Sequence, residues 1–255
     1  MSHKPIEFIG QSPVVQQLKQ QVDRWALTDH PILIRGEGGT GKELVAQFIH
    51  EHSPRLGSPF VLVNCAALAP KLLEIEIFGL ETAILGAAGN PIFQPTCGQL
   101  IAADTGTIVL KGIEDIPLDL QGKICTFLHT GEFSAFRSQR TKHANVRIIG
   151  TTHFSLDELV AQGDFSPELY RAFAASIIIP PLRERREDIP LLARHLLLED
   201  SISISQEVIN LFLKYPWPGN VRELSSVLEY AQERCESDTI LPVHLPTCIR
   251  QLSPA

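Results

Sequence analysis

The run GEGGTGKE, Gly36 to Glu43, has the residue types and spacing of an anion cradle. It holds a G-x-x-x-x-G-K pattern, follows the short apolar run PILIRG and opens the amphipathic segment KELVAQFIHEH. Glycines free backbone N–H groups to turn toward a phosphate, a helix N-terminus adds its positive end, and Lys42 brings a point charge for the outer phosphates. This register predicts nucleotide binding through Gly36, Glu37, Gly38, Gly39, Thr40, Gly41, Lys42 and Glu43; a Gly-rich strand-to-helix turn without a ligand is the plain alternative. One departure stands out. Glu43 occupies the position where most such loops carry the Ser or Thr that holds magnesium.

A second stretch bears on the same chemistry. TGTIVLKGIEDIP, Thr105 to Pro117, begins as a buried strand with Ile108, Val109 and Leu110 in an unbroken apolar run. Where a phosphate-loop ATPase ends this strand with an Asp for magnesium and often a Glu for water, the chain has Lys111 and Gly112. Neither an ammonium nor a glycine can do those jobs, so no catalytic residue and no metal ligand is expected there. Glu114 and Asp115 fall past Ile113, in the turn before PLDLQGKI. Their side chains are expected to leave the strand end and to favour the N-terminus of the next helix.

These residues need elements to hold them. In QSPVVQQLKQQVDRW, Val15, Leu18, Val22 and Trp25 recur at helical spacing, with Ser12 as N-cap and Pro13 at the first helical position. PILIRG, PFVLVNC, Gly106 to Leu110, NVRIIGTT and ASIIIP read as five strands. Helical LAPKLLEIEIFG and LDLQGKICTFLHTGEF fall between them, which predicts parallel βαβ units in an α/β sheet. GLETAILGAAGNPIFQPTCGQ lacks periodicity and reads as a loop insertion. After IPPLRERREDIP the chain turns helical, with YPWPGN between two amphipathic segments. Residues 1–181 are therefore expected to form the sheet domain and residues 182–255 a small helical domain.

Composition narrows the partners. The formal net charge is −7 and charged residues make up 20% of the chain, so there is no global basic face to grip DNA. The five cysteines are scattered without a C-x-x-C, which suggests reduced thiols and neither disulfides nor zinc. No signal-peptide core or membrane-length apolar run is present, and a cytoplasmic location without membrane contact is expected.

GEGGTGKELVAQFIHEHSPR, PFVLVNCAAL, PLDLQGKI, VRIIGTT, PPLRERREDIPLLARH and WPGNVREL together resemble the AAA+ domain of bacterial enhancer-binding proteins, the sigma-54-dependent transcription activators. The resemblance runs from Ile9 to about Leu245. It implies a Rossmann-like α/β subdomain with helices on both faces of the sheet, a helical lid, ATP between them, ring-forming oligomers and a role in transcription regulation such as two-component systems use. Ile9 and Gly10 would edge the adenine pocket, and Val221 with Arg222, the lid arginine, would meet the nucleotide.

The same resemblance exposes what is altered. Family members carry an Asp-Glu pair at the positions of Lys111 and Gly112, and arginine fingers at those of Ser166 and Ala172. Arg171 is one residue away, about 100° around a helix. His153 replaces the usual sensor Asn. Asn64 is kept, although the Glu it restrains in the family is absent, leaving it a strand-end capping role. Ala83 to Ala88 lacks the Phe and Thr of the G-A-F-T-G-A loop that docks the sigma factor.

The resulting expectation is a module that binds ATP or ADP, with magnesium left open, and hydrolyses poorly. It would self-associate or co-assemble with AAA+ relatives, would not engage sigma-54, and would reach DNA only through a domain absent from this chain. An active ATPase with unusual residues and a sensor for another nucleotide, such as a cyclic dinucleotide, remain as alternatives. The chain stops at IRQLSPA, where family members continue into a helix-turn-helix. An excised central domain or a protein working through partners is expected.

Overall fold

The computed structural model describes residues 8–85, 91–197, 202–236 and 238–251. From the N-terminus come α1 (Pro13–Ala26), β1 (Ile32–Arg35), α2 (Lys42–Glu51), β2 (Phe60–Asn64), α3 (Pro70–Phe78), β3 (Ile84–Leu85), β4 (Pro91–Phe93) and α4 (Gln99–Ala102). Next are β5 (Thr107–Lys111), α5 (Leu118–Thr130), β6 (Glu132–Ser134), β7 (Thr141–His143), β8 (Arg147–Thr152), α6 (Leu156–Gln162), α7 (Pro167–Ala172) and β9 (Ala175–Ile178). The remainder holds α8 (Ile189–Leu196), β10 (Ser203–Ile204), α9 (Gln206–Lys214), α10 (Asn220–Gln232), β11 (Thr239–Ile240) and α11 (Thr247–Arg250).

Five strands form one sheet in the order β2-β5-β8-β1-β9, and the β2–β5, β5–β8 and β8–β1 pairs are parallel. The register sets Asn64 opposite Lys111, Lys111 opposite Thr151, and Thr152 opposite Arg35. One line of strand C-termini results, the edge at which open α/β sheets carry their chemistry. All six residues of β8 and the first four of β5 are buried, which explains their apolar runs: both faces of these strands are covered.

Contacts divide the chain into two units. The sheet unit comprises Val22–Arg35 and Glu43–Ile177, and its core gathers Leu33, Val63, Ile108, Leu110, Ile124 and Ile148. The loop–lid unit comprises the described residues up to Gln21, Gly36–Lys42, and those from Ile178 onward. Its core is built on Leu182, Ile189, Phe212, Trp217, Leu224 and Leu228. Trp217 is fully buried, donates Nε1–H to the Phe212 carbonyl at 2.8 Å and meets the Phe212 and Tyr215 rings edge-on. By its contacts the phosphate loop clusters with the helical segment.

Three local expectations change. The helix read as LDLQGKICTFLHTGEF stops at Thr130, because Gly131 takes the left-handed conformation (φ 71°) and caps it, and Glu132–Ser134 pairs with Thr141–His143 as an antiparallel hairpin. The insertion after Gly79 is not wholly irregular: β3 and β4 pair antiparallel, with a Leu80–Thr96 bridge at their base. Ser12, expected to cap α1 with its side chain, precedes the helix and donates its hydroxyl to Asp188 Oδ2 at 2.6 Å.

Candidate functional site

The phosphate loop leaves β1 at Gly36 and enters α2 at Lys42. Gly39 and Gly41 sit at φ 77° and 101°, which a side chain would oppose. A Cβ placed on Gly38 or Gly41 would meet no atom within 4 Å, so the loop presents bare backbone to open space. That geometry fits a phosphate, which needs N–H groups unobstructed by side chains. Lys42 Nζ lies on the loop, donating to the carbonyls of Gly36 at 2.6 Å and Glu37 at 2.9 Å, and Thr40 Oγ1 donates to Glu37 O at 2.8 Å.

The loop is fastened to the lid residues of its own unit. Gly39 O accepts from the N–H groups of Val221 at 3.0 Å and Arg222 at 3.3 Å, and a Cβ on Gly39 would stand 2.2 Å from Gly219 O. Asn220, fully buried at φ 54°, accepts from Leu182 N through Oδ1 and donates through Nδ2 to Gly38 O at 3.0 Å and Glu37 Oε2 at 3.1 Å. Arg183 grips Glu37 with two hydrogen bonds, at 2.6 and 2.8 Å. The Arg183 bond, reinforced by that of Asn220, holds the Glu37 carboxyl at about 2, well below the carboxylate range. Arg185, almost wholly buried, donates to Thr40 O at 3.1 Å, and its desolvated guanidinium is pushed below its ordinary value. Sequence reasoning assigned nothing to Arg183, Arg185 or Asn220. The signals available were the cation-rich PPLRERREDIP and, well downstream of it, WPGN.

Ile9 and Gly10 belong to the same unit. Ile9 packs against the lid core, and Gly10 O accepts from Lys19 Nζ at 2.8 Å and Gln16 Nε2 at 3.3 Å. Buried Asp188 secures the following turn by accepting from Gln11 N, Ser12 N and Ser12 Oγ. The expected binding residues Gly36–Lys42, Val221, Arg222, Ile9 and Gly10 are thus gathered in one unit, whereas Glu43 belongs to the sheet unit.

At the strand edge of the sheet unit, Lys111 Nζ lies 2.5 Å from Glu43 Oε1. The carboxylate at the magnesium-holding position is therefore neutralised by an ammonium, and these residues do not fit a divalent cation. Gly112 is left-handed (φ 71°), and a Cβ there would meet Asp115 Oδ2 at 2.9 Å. Glu114 corrects the sequence reading. Its side chain is only 4% exposed and does not point away to serve a helix end; Oε1 pairs with His153 Nδ1 at 2.8 Å, beyond the end of β8. Glu114 Oε2 and Thr151 Oγ1 are buried without a partner among the described residues. Asn64 makes no side-chain capping bond.

The finger positions have structural occupations. Ser166 is the N-cap of α7: its hydroxyl accepts from Leu169 N at 3.3 Å while its own N–H donates to buried Gln121 Oε1 at 2.7 Å. Ala172 ends that helix and Arg171 is exposed. Of Ala83–Ala88, residues 86–88 lie outside the described residues.

Two known protein families match this chain, one after the other along the sequence. The sigma-54 interaction domain matches residues 8–178, and the AAA+ ATPase lid domain matches residues 183–255. The chain is 40% identical over 252 residues to the regulatory protein AtoC of Escherichia coli K12, covering 96% of this chain and 54% of that one. It is 36% identical over 252 residues to the DNA-binding transcriptional regulator NtrC of Proteus hauseri, covering 96% and 52%. Among solved structures, NtrX from Brucella abortus in complex with ATP superposes with a TM-score of 0.87 at 30% identity, covering 98% of this chain and 56% of that one. The chain spans about half the length of the curated relatives it matches. It belongs to the sigma-54 interaction domain family, the AAA+ module of bacterial transcription activators, with an AAA+ lid.

Proposed function

We propose that this chain is a nucleotide-holding AAA+ module that hydrolyses poorly and regulates transcription without remodelling the sigma-54 polymerase. The bare phosphate loop supports nucleotide binding, as do the relatives: Brucella abortus NtrX was crystallised with ADP and with ATP. The observation that carries weak hydrolysis is the Lys111–Glu43 ion pair at the position of metal and water chemistry. Lys111 then provides positive charge that magnesium would otherwise bring, and nucleotide binding is metal-independent. Arginine charge from a neighbouring subunit is missing too, since position 166 is a helix cap and position 172 an alanine. With no Phe or Thr in Ala83–Ala88, the sigma-contacting loop lacks its anchor, and the module acts through self-association or assembly with AAA+ relatives.

Turnover and calorimetric affinity of ATP and ADP, with and without magnesium and with Lys42→Ala as control, test this reading. Binding that needs Lys42, survives chelation and gives near-background turnover supports it. Turnover at ordinary family rates overturns it.

One observation favours a second reading, an ATPase running on different residues. A buried carboxylate paired with the Nδ1 of a half-exposed imidazole, as in Glu114–His153, is the arrangement that orients a histidine to take a proton. Substantial turnover abolished by His153→Ala would select it.

A further inference from the structure

A loop that receives phosphates gains from every positive charge, yet the second residue of this one is a glutamate. Both carboxylate oxygens of Glu37 are engaged: Oε1 by Arg183 Nη2, and Oε2 by Arg183 Nη1 and Asn220 Nδ2. The planar fork of arginine meets a carboxylate in two parallel bonds, which a lysine cannot reproduce. The same Asn220 amide also reaches Gly38 O, so cancelling the charge and shaping the loop are one arrangement. Arg183 and Glu37 are each 41% exposed, so as a surface pair they add little to folding. Their value lies in the net charge that the loop presents.

We propose that Arg183 is a positioning residue of the phosphate loop: by neutralising Glu37 and holding it against Asn220, it keeps the loop receptive to a polyphosphate. This rests on the nucleotide reading above. Uncancelled, the Glu37 charge opposes the incoming phosphates, and at solvent-screened separations such a charge changes affinity by about five- to tenfold. The substitutions therefore act with opposite sign. Arg183→Ala leaves the loop one charge more negative and weakens binding, whereas Glu37→Gln leaves it one charge more positive and tightens binding. A purely mechanical clasp would weaken binding in both cases.

The experiment is calorimetric titration of ATP and ADP into the chain at low salt, comparing wild type with Arg183→Ala, Arg183→Lys, Glu37→Gln and the Arg183→Ala/Glu37→Gln pair. Expected are a loss of about five- to tenfold for Arg183→Ala, larger for ATP than for ADP and shrinking in high salt. Arg183→Lys should recover part of it, Glu37→Gln should tighten binding, and the pair should return to within about twofold of wild type. Weakening by Glu37→Gln, or a pair as weak as Arg183→Ala alone, overturns the inference. Lys42→Ala separates the two ideas. Wild-type binding indifferent to Lys42, or no binding at all, removes the nucleotide reading and this inference with it; Lys42-dependent binding without the opposed signs removes only this one. If Arg183→Ala does not fold, the sign of the Glu37→Gln effect decides.

Discussion

Lys111 Nζ lies 2.5 Å from Glu43 Oε1, with about a third or more of each side chain in solvent. An exposed pair of this kind contributes on the order of 0–1 kcal/mol to folding. What it changes is the sign of the charge at a strand end, and the first prediction follows from that. Chelating magnesium should alter ATP affinity by less than about threefold in the wild type, whereas in Lys111→Asp, where two carboxylates lie together, chelation should cost about tenfold or more. Calorimetry with and without chelator reads both. A large loss in the wild type would show that the ammonium does not replace the metal.

Restoring hydrolysis should require both halves of the chemistry. Lys111→Asp with Gly112→Glu should leave turnover low, because Ser166 and Ala172 still offer no charge to the transition state. A finger worth about 10³ in rate is a deficit of roughly 4 kcal/mol. The strand end resists as well: glutamate at 112 must adopt φ 71° and bring its Cβ against Asp115 Oδ2. Adding Ser166→Arg and Ala172→Arg should raise the rate far beyond either pair alone, since such groups act as a unit. Single-turnover ATP assays check the order, and full recovery from the first pair would contradict it.

Two adjacent glycines should behave oppositely. Gly38→Ala adds a methyl to open space and should keep Tm within about 1–2 °C while weakening ATP binding. Gly39→Ala combines φ 77° with a carbonyl at 2.2 Å and should cost about 2–4 kcal/mol, detaching the loop from Gly219. Denaturant melts and titrations of the two variants decide; equal stability would refute the tight approach.

The Glu37–Arg183 pair should leave a signature in acid. The carboxyl is lowered from 4.5 to about 2 in the folded chain, so its contribution to stability is complete above about pH 4.5 and is lost as pH falls toward 2. Exposure keeps that contribution small. At low salt Glu37→Gln should melt slightly below the wild type at neutral pH, with the gap closing across that window. A gap that widens in acid would reverse the assignment.

Most of the framework was legible because it rests on periodicity and on glycine. Continuous apolar runs marked the five sheet strands, and GEGGTGK marked the loop between strand and helix. Illegible were features that depend on tertiary partners. The start of β6 falls inside the helix expected from LDLQGKICTFLHTGEF, because nothing in that run marks Gly131 as the left-handed cap. Glu114 looked like a solvated helix-end acid because nothing local to IEDIP foretells that His153, on a different strand end, waits beside it. Asn220 and Arg183 drew no role from the sequence, since their loop partners lie far away in the chain.

Ser166 carries one more consequence, in terms of what any change there would have to overcome. Its hydroxyl caps α7, and its N–H is tied to buried Gln121. An arginine there loses the cap, at a cost of about 1 kcal/mol, before it can serve any neighbouring subunit. On the proposed reading, arginine at this position is uphill in folding and gains nothing in rate until the strand end changes as well. Arginine at 166 and carboxylates at 111 and 112 are, on that reading, useful only together, so a change at any one of these positions leaves turnover where it was.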